Sequence, residues 1–308
     1  MLYFAEADSR GAIEIALAAQ IIDDTYRAIG EGRVHASAPS MMRIGTTPHR
    51  LGAKGAVLDH LGVAGVRLTS RAAPRLMLWS LETGEPVAFF DERTMYRFRT
   101  GVSAAVVAGY LLRARPLRRA AIIGAGPIAS QIALAIHELL KPSQIVVASR
   151  SPESAERFAA DCRASGLPAS SAQSAPEAVH EADLVVTITT ANEVLVRREH
   201  LKDGATVLSM GGGLEIDHVI WASAAVRFVD DLSYALLQGD AHAWIAGGLI
   251  DAAGFEASLS GTIGELAAGR VPDRPSDGIA MAIVQGTTAL DIALAHAVYD
   301  ARLNNRNN

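Results

Sequence analysis

The segment that most constrains the fold is a glycine loop between a predicted strand and a predicted helix. Residues 120–129 read AAIIGAGPIA, a Gly-x-Gly-x-x-Ala pattern. Gly124 permits the tight turn out of the strand, Gly126 lets the backbone approach a pyrophosphate, and Ala129 allows close helix–sheet packing. Pro127 suits the first helical turn, where it and Ile128 begin a helix whose amides and dipole attract phosphate. The segment predicts a dinucleotide-binding loop.

An alternation of strands and helices surrounds this loop. Strands are predicted at 120–123, 144–149, 183–189, 205–210 and 225–230, and helices at 127–140, 152–165, 174–181 and 217–223. This rhythm is typical of a parallel doubly wound sheet. We therefore expect an α/β protein with a Rossmann dinucleotide-binding domain over residues 116–286, in which 232–270 are mainly helix and loop.

Both chain ends have a different pattern. Short apolar segments separated by Gly, Pro, Ser and Thr run from 34 to 92 and predict a small, mostly antiparallel sheet. Helices are predicted at 11–30, 99–113 and 287–303, and the tail 304–308 is expected to be disordered. We expect residues 1–115 and 287–308 to form a smaller α+β domain for substrate binding and dimerisation.

Composition excludes several classes of protein. A length of 308 residues suits two domains, and 28 basic against 33 acidic residues argue against a nucleic-acid partner. The longest apolar runs fall short of the ~20 residues that span a bilayer, and no signal peptide is recognisable, so no membrane partner is expected. A lone cysteine, Cys162, fits the cytoplasm, and the nine histidines lack metal-ligand spacing, so no metal is predicted.

The end of the second predicted Rossmann strand bears on the choice of cofactor. NAD-preferring sites usually place an acid here, whereas this chain has Ser149, Arg150 and Ser151. A guanidinium between two hydroxyls can bind the 2′-phosphate of NADP(H). Alternatively, Ser151 caps the next helix, with Pro152 at its first position. Both can hold at once, and the segment favours NADP(H) over NAD(H).

Several segments together resemble the ornithine cyclodeaminase/mu-crystallin superfamily over nearly the whole chain. They are Arg99-Thr100-Gly101-Val102-Ser103-Ala104-Ala105, the glycine loop, and the ending Ala289-Leu290-Asp291-Ile292-Ala293 with Val298-Tyr299-Asp300. Residues 229–231 and 262–270 look most like the siderophore-pathway branch. That branch includes N-(2-amino-2-carboxyethyl)-glutamate dehydrogenases, which help to make 2,3-diaminopropionate.

The resemblance implies roles for particular residues. It implies that Arg99 and Thr100 contact the cofactor phosphates and that an N-terminal sheet domain forms a homodimer. It also implies that segments 187–190 and 209–213 line the nicotinamide, with Thr187, Thr189, Met210 and Gly211 in contact with it. These segments follow predicted strands, and ligands of such sheets bind beyond the carboxyl ends of the strands.

The chain departs from the superfamily at two positions. Gly213 stands where cyclodeaminases carry a catalytic Asp, and Arg67 stands where the superfamily places a substrate-site Lys. Arg67 and Arg43 are candidates to bind a substrate carboxylate, because arginine pairs with it bidentately. Lys54 is a candidate acid–base group if burial lowers its pKa. Each of the three can instead be a structural surface residue.

These observations predict an NAD(P)-dependent oxidoreductase that acts on the C–N bond of an amino or imino acid. An imine reductase or amino-acid dehydrogenase is the first hypothesis. The alternatives are a redox-neutral cyclodeaminase, which Gly213 argues against, and a catalytically inactive, crystallin-like cofactor-binding protein. A homodimer is expected through residues 1–115 and 287–303, since an uncovered sheet seeks a partner.

Overall fold

The computed structural model describes residues 1–43, 50–70, 73–113, 115–271, 275 and 277–307. Two compact units divide the chain, Met1–Thr100 with Gly286–Asn308 and Gly101–Gln285. The expected boundary after residue 115 therefore differs from the observed one, which falls inside a helix. No helix among the described residues is long and apolar enough to cross a membrane.

The first unit is built on a mostly antiparallel sheet, as predicted. Its elements are β1 (Leu2–Phe4), α1 (Ile15–Gly30), β2 (Val34–Ala36), β3 (Ser40–Arg43), β4 (Arg50–Leu58), β5 (Val63–Thr69), β6 (Arg75–Ser80), β7 (Pro86–Asp91), α2 (Arg93–Leu112, up to Thr100) and the last helix, α11 (Thr288–Asn307). The strand order is β1-β7-β6-β5-β4-β2, with β3 also on β4, and the pair β1–β7 is parallel. The sequence did not predict β1, β2 or β4.

Helix α11 packs against β4, β5 and β6 of this sheet. Contact is close at Gly65 on β5, where an added Cβ would lie 2.7 Å from the Ile292 side chain. Because strand residues alternate between faces, Arg67 shares the buried face with Gly65, whereas Val66 and Leu68 lie on the other face. The backbone of α11 continues to Asn307, into the segment 304–308 that was expected to be disordered, and residue 308 lies outside the described residues.

The second unit has the alternating strands and helices that the sequence predicted. They are β8 (Arg119–Ile123), α3 (Pro127–Leu140), β9 (Gln144–Ala148), α4 (Pro152–Ala164), β10 (Ala169–Ser171), α5 (Ala175–Val179), β11 (Leu184–Thr187), β12 (Thr206–Ser209), α6 (His218–Ser223), β13 (Val226–Val229), α7 (Leu232–Ala235), α8 (Gly239–Ala246), α9 (Ala252–Ala257), β14 (Gly261–Thr262), α10 (Ile263–Ala267) and β15 (Ala280–Ile283).

These strands form a parallel sheet in the order β10-β9-β8-β11-β12-β15-β13-β14. The chain runs from β8 outward to β10 and then returns to β11 on the other side, so the switch point lies between β8 and β11. The sequence missed β10, β14 and β15. The structure places β15 between β12 and β13. Its residues read Ala-Met-Ala-Ile without flanking alternation, so periodicity did not distinguish this fully buried strand from a loop.

Helices α2 and α3 approach each other closely at Gly101. A Cβ on Gly101 would lie 2.5 Å from the backbone carbonyl carbon of Gln131, a distance that requires one helix to move. Gly109, two turns later on α2, is a natural control, because its nearest neighbour would be a Leu140 methyl at 3.6 Å. Only the first glycine is therefore required by packing.

We predict opposite effects for alanine at these two positions. Gly101→Ala should destabilise the protein by about 1–3 kcal/mol, because overpacking displaces backbone. Gly109→Ala should stabilise it by up to about 1 kcal/mol, because alanine is the better helix former. Urea denaturation followed by circular dichroism measures both. Equal effects of the two substitutions would contradict the proposed close contact.

Candidate active site

The glycine loop between β8 and α3 has the geometry of a phosphate-binding turn. Gly124 has φ of 126°, and a Cβ there would lie 2.4 Å from the Ile188 carbonyl oxygen, so the fold itself requires glycine. Gly126 is the residue before α3 and is extended, and a Cβ there would meet nothing within 4 Å. The space beside Gly126 suits a pyrophosphate at the helix N-terminus. Ala129 is fully buried, as close packing requires.

The end of β9 presents one free cationic side chain. Ser151 accepts a hydrogen bond from the Ser154 amide at 3.3 Å, which confirms it as the cap of α4. The Ser149 hydroxyl donates to the Ser151 carbonyl oxygen at 2.8 Å. Arg150 is exposed, and its guanidinium has no hydrogen-bond partner among the described residues. Arg150 is thus the group at this strand end with unused donors.

A buried carboxyl group ties the ends of β11 and β12 together. Glu215 Oε1 accepts a hydrogen bond from the Thr189 amide at 2.7 Å, and a Cβ on Gly211 would lie 1.7 Å from Glu215 Oε2. The Met210 amide donates to the Thr187 carbonyl oxygen at 2.9 Å. The segments expected to line the nicotinamide are therefore adjacent, and Glu215 contacts both of them.

Asp240 at the start of α8 supports Glu215 in turn. Its Oδ1 accepts hydrogen bonds from the Glu215 and Ile216 amides at 2.7 and 2.9 Å, and its Oδ2 accepts one from the Ser209 hydroxyl at 2.7 Å. Burial raises the pKa of Asp240 to about 6. Burial, aided by the charge of Asp240, raises the pKa of Glu215 to about 7. The sequence gave no signal that distinguished these two carboxyl groups from other acidic residues.

Gly213 is glycine for a steric reason. A Cβ there would lie 2.2 Å from the Ala191 carbonyl oxygen, so an aspartate cannot replace it without backbone movement. The conformation of this loop therefore excludes the aspartate that cyclodeaminases carry at the position of Gly213.

The first unit contains a buried cluster of charges. Arg67 Nε donates to Glu92 Oε2 at 2.6 Å, and Arg99 Nε donates to Asp291 Oδ1 at 2.6 Å. Asp291 Oδ2 lies 3.8 Å from Arg67 Nε, so the two ion pairs are neighbours. The Tyr96 ring centroid lies 4.4 and 5.3 Å from the two guanidinium carbons. All four charged side chains are at most 5% exposed.

Lys54 adds a third cation near this cluster. Its Nζ donates to the Gly286 carbonyl oxygen at 3.1 Å, and its charge acts on Asp291. The sequence had suggested an exposed lysine as the alternative, but Lys54 is only 7% exposed. Three cations therefore accompany two carboxylates in the cluster.

Both arginines have unused hydrogen-bond donors. Arg67 and Arg99 each bond a carboxylate through Nε, and among the described residues neither has a hydrogen-bond acceptor at its terminal Nη groups. Although burial acts in the opposite direction, the charges of Glu92 and Asp291 raise the pKa of Arg67. Buried arginine donors of this kind need an acceptor, and a carboxylate offers the matching geometry.

The two carboxylates of the cluster differ in their protonation. Burial raises the pKa of Glu92 to about 8, although Arg67 opposes the shift. Burial also acts to raise that of Asp291, but Arg99, Arg67 and Lys54 outweigh it and hold the Asp291 pKa below its ordinary value. Asp291 is consequently an anion at neutral pH, whereas the pKa of Glu92 lies near neutrality.

Other expected residues have simpler environments. Arg43 ends β3 opposite Arg50, and its side chain lies outside the described part of the chain. The Thr100 hydroxyl donates to the Tyr96 carbonyl oxygen at 2.8 Å, and Arg99 is held by Asp291 rather than standing free. Among the described residues, no group of three or more His, Cys, Asp or Glu side chains is arranged to hold a metal ion.

Residues 66–306 match the model of the ornithine cyclodeaminase/mu-crystallin family. Among curated relatives, an alanine dehydrogenase of Archaeoglobus fulgidus is 30% identical over 233 residues, which cover 74% of this chain and 70% of that protein. A delta(1)-pyrroline-2-carboxylate reductase of Bacillus cereus is 29% identical over 231 residues, which cover 73% and 70%.

Solved structures have the same fold. The delta(1)-pyrroline-2-carboxylate reductase of Thermococcus litoralis, in complex with NADH and L-proline, matches with a TM-score of 0.90 at 20% identity over 99% of this chain and 98% of that one. An archaeal alanine dehydrogenase dimer with bound NAD also matches with a TM-score of 0.90, at 24% identity over 99% and 97%.

The chain therefore belongs to the ornithine cyclodeaminase/mu-crystallin family, as the sequence resemblance predicted. The family assignment confirms the predicted class of protein. That class is the NAD(P)-dependent oxidoreductases that act on the C–N bond of amino or imino acids.

Gly126→Ala should separate cofactor binding from folding. Its Cβ enters space that the protein leaves empty, so we expect a loss in unfolding free energy of no more than about 1 kcal/mol, the difference between glycine and alanine at a helix N-cap. The same methyl group should weaken NAD(P)H binding at least about tenfold, because it stands where the backbone must approach the pyrophosphate. Cofactor fluorescence titration and thermal unfolding measure the two effects. Unchanged affinity would show that the pyrophosphate lies elsewhere.

Proposed function

We propose that this protein interconverts an α-imino acid and its amino acid with NADP(H), and that Arg67 and Arg99 hold the substrate carboxylate. The observation that carries this proposal is the pair of buried guanidiniums whose Nη donors have no acceptor among the described residues. A carboxylate would satisfy those donors. This places Arg99 with the substrate rather than with the cofactor phosphates.

The dinucleotide, held by the loop at Gly124–Ala129, would supply or accept the hydride. The chain's own residues bind and orient the substrate and exclude water. Two relatives support this substrate class. One is named a delta(1)-pyrroline-2-carboxylate reductase, and the other is named an alanine dehydrogenase. Both names refer to a nitrogen on the carbon next to a carboxylate.

The steric environment of Gly213 favours this proposal over a cyclodeaminase, because no aspartate fits there. The siderophore-pathway branch stays a prediction of the sequence resemblance, and the cytoplasmic location stays a prediction from the single cysteine. A screen that offers cyclic imino acids, pyruvate with ammonia, and N-(2-amino-2-carboxyethyl)-glutamate with each cofactor tests the substrate class directly. No NAD(P)(H)-dependent absorbance change with any of them would contradict the proposed function.

Arg67 should tolerate lysine poorly. Lysine keeps the charge but loses the planar fork, so a substrate displaced by ~1 Å should lose on the order of 100-fold in turnover. Arg67→Lys should still bind NADPH normally, because the glycine loop belongs to the second unit. Steady-state kinetics and cofactor titration test both expectations, with the exposed Arg33→Ala as a control. A variant with near-wild-type turnover would show that position 67 requires only a positive charge.

Arg150 should determine the preference for NADPH. Its guanidinium is exposed and unpaired among the described residues, so it can bind a 2′-phosphate. Arg150→Ala should weaken NADPH binding by about 1.5–3 kcal/mol and leave NADH unaffected. Arg157→Ala, on the neighbouring helix, is the matched control. Titration calorimetry gives all the affinities, and equal wild-type affinities for the two cofactors would refute the preference.

A homodimer through the open face of the first unit's sheet is part of the proposal. Val66 and Leu68 on β5 are each 38% exposed, and Tyr3 on β1 is 60% exposed. Leu68→Glu should convert a dimer into a monomer in light scattering, because it places a charge within an apolar interface. Leu249→Glu, at an exposed position of the second unit, should leave the dimer intact. A wild-type monomer at micromolar concentration would contradict the assembly.

A further inference from the structure

Glu92 has a role that anion binding alone does not explain. A carboxylate that served only as a counter-ion to Arg67 would be expected to direct both of its oxygens to hydrogen-bond donors, because a buried oxygen without one is costly. Yet Glu92 is fully buried and bonds Arg67 Nε at 2.6 Å. Its other oxygen, Oε1, is also buried and has no hydrogen-bond partner in the part of the chain that the structure describes.

We propose that Glu92 is the acid–base group of the reaction, which gives a proton from Oε1 to the imine nitrogen and takes it back from the amine in the reverse direction. This inference rests on the proposed function. In an α-imino acid the nitrogen sits on the carbon next to the carboxylate. A carboxylate held by Arg67 therefore brings that nitrogen close to the carboxyl group that is bonded to Arg67.

The unbonded oxygen identifies which end of Glu92 carries the proton. Oε2 already accepts a hydrogen bond from Arg67, so a protonated Glu92 holds its hydrogen on Oε1. Among the described residues, that O–H has no acceptor, and a substrate nitrogen would provide one. The groups that face Glu92 are Arg67 from β5, Asp291 from α11 and Arg99 from α2.

Burial keeps this proton available near neutral pH, since it raises the pKa of Glu92 to about 8. The neighbouring Asp291 also has an unbonded buried oxygen, Oδ2. It does not serve as the acid, because three cations hold its pKa below the ordinary value. The two carboxyl groups are thus divided into a proton donor and a fixed counter-ion.

The step balances in both atoms and charge. In the reductive direction the imine carbon would accept the hydride that a bound dihydronicotinamide supplies. The π electrons of the C=N bond move to nitrogen, which takes the proton of Glu92. The products are the amine, the oxidised cofactor and the Glu92 carboxylate, which regains a proton from solvent before the next turnover.

The decisive experiment compares two substrates that both carry the carboxyl group and differ in whether the nitrogen must gain a proton. A cyclic α-imino acid needs a proton during reduction, whereas its N-methyl iminium analogue carries a permanent charge and needs none. We expect Glu92→Gln to lower the turnover of the imino acid by about 10²–10⁴-fold, the usual contribution of a general acid. The same variant should reduce the N-methyl analogue within a few-fold of the wild-type rate.

The pH dependence of the reduction rates of these two substrates gives a second prediction. Wild-type reduction of the imino acid should decline above a pH of about 8, where Glu92 loses its proton. Reduction of the N-methyl analogue should lack this decline. Equal losses of Glu92→Gln on both substrates, or a wild-type decline shared by both, would overturn the inference and leave Glu92 a positioning residue. If the wild type reduces neither substrate, the proposed function fails instead.

A measurement without cofactor or substrate tests the proton directly. Glu92 has a higher pKa in the folded protein than in the unfolded chain, so its stabilising contribution is present at low pH and lost as pH rises through about 8. The stability of the wild type relative to Glu92→Gln should therefore fall between pH 5 and 8.5 in thermal unfolding. Glu82→Gln, an exposed control, should show no such trend. A pH-independent difference for Glu92→Gln would contradict a proton held by Glu92 in the folded protein.

Discussion

Two buried guanidiniums determine how the first unit is organised. Removing a charge from water costs several kcal/mol unless an opposite charge and hydrogen bonds replace the solvent. Asp291 supplies that charge to Arg99 and lies 3.8 Å from Arg67 Nε, and Glu92 accepts a hydrogen bond from Arg67. These pairs join β5, α2 and the last helix, α11, so the C-terminal segment of the chain completes the charge balance of the N-terminal sheet. Glu92 and Asp291 bond the Nε atoms of these arginines and not their terminal Nη groups, so the Nη groups can donate hydrogen bonds to a ligand.

The second unit uses buried carboxyl groups for a different purpose. Glu215 and Asp240 accept backbone amides at the ends of β11 and β12 and so hold loops that strand pairing no longer constrains. Burying a carboxyl group costs less free energy when the group accepts hydrogen bonds from backbone amides, because those bonds replace the bonds it made to water. The adjacent glycines follow from this arrangement, since Gly211 leaves room for Glu215 and Gly213 for a carbonyl group. The loops are therefore rigid for reasons internal to the unit.

The glycines of this protein show why composition alone does not locate a binding site. Gly101 and Gly124 are required by neighbouring backbone, whereas Gly126 faces empty space in the unliganded chain. Only the last of these has no explanation within the protein, and it is the one that a pyrophosphate would explain. The same reasoning applies to the arginines, because the donors that the protein leaves unused point to what it binds.

The sequence by itself determined the Rossmann rhythm, the dinucleotide loop, the family and the cap at Ser151, because these depend on local periodicity and turn chemistry. It also selected Arg67, Arg99 and Lys54. Only the tertiary structure decided what those side chains contact. Glu92 and Asp291 are separated by almost 200 residues yet share one cluster, and no spacing rule predicts that. The same holds for β15, whose place between β12 and β13 is set by long-range pairing. Burial and charge compensation depend on the whole fold, and they give Glu92 and Asp291 different protonation although both are ordinary acidic residues in the sequence.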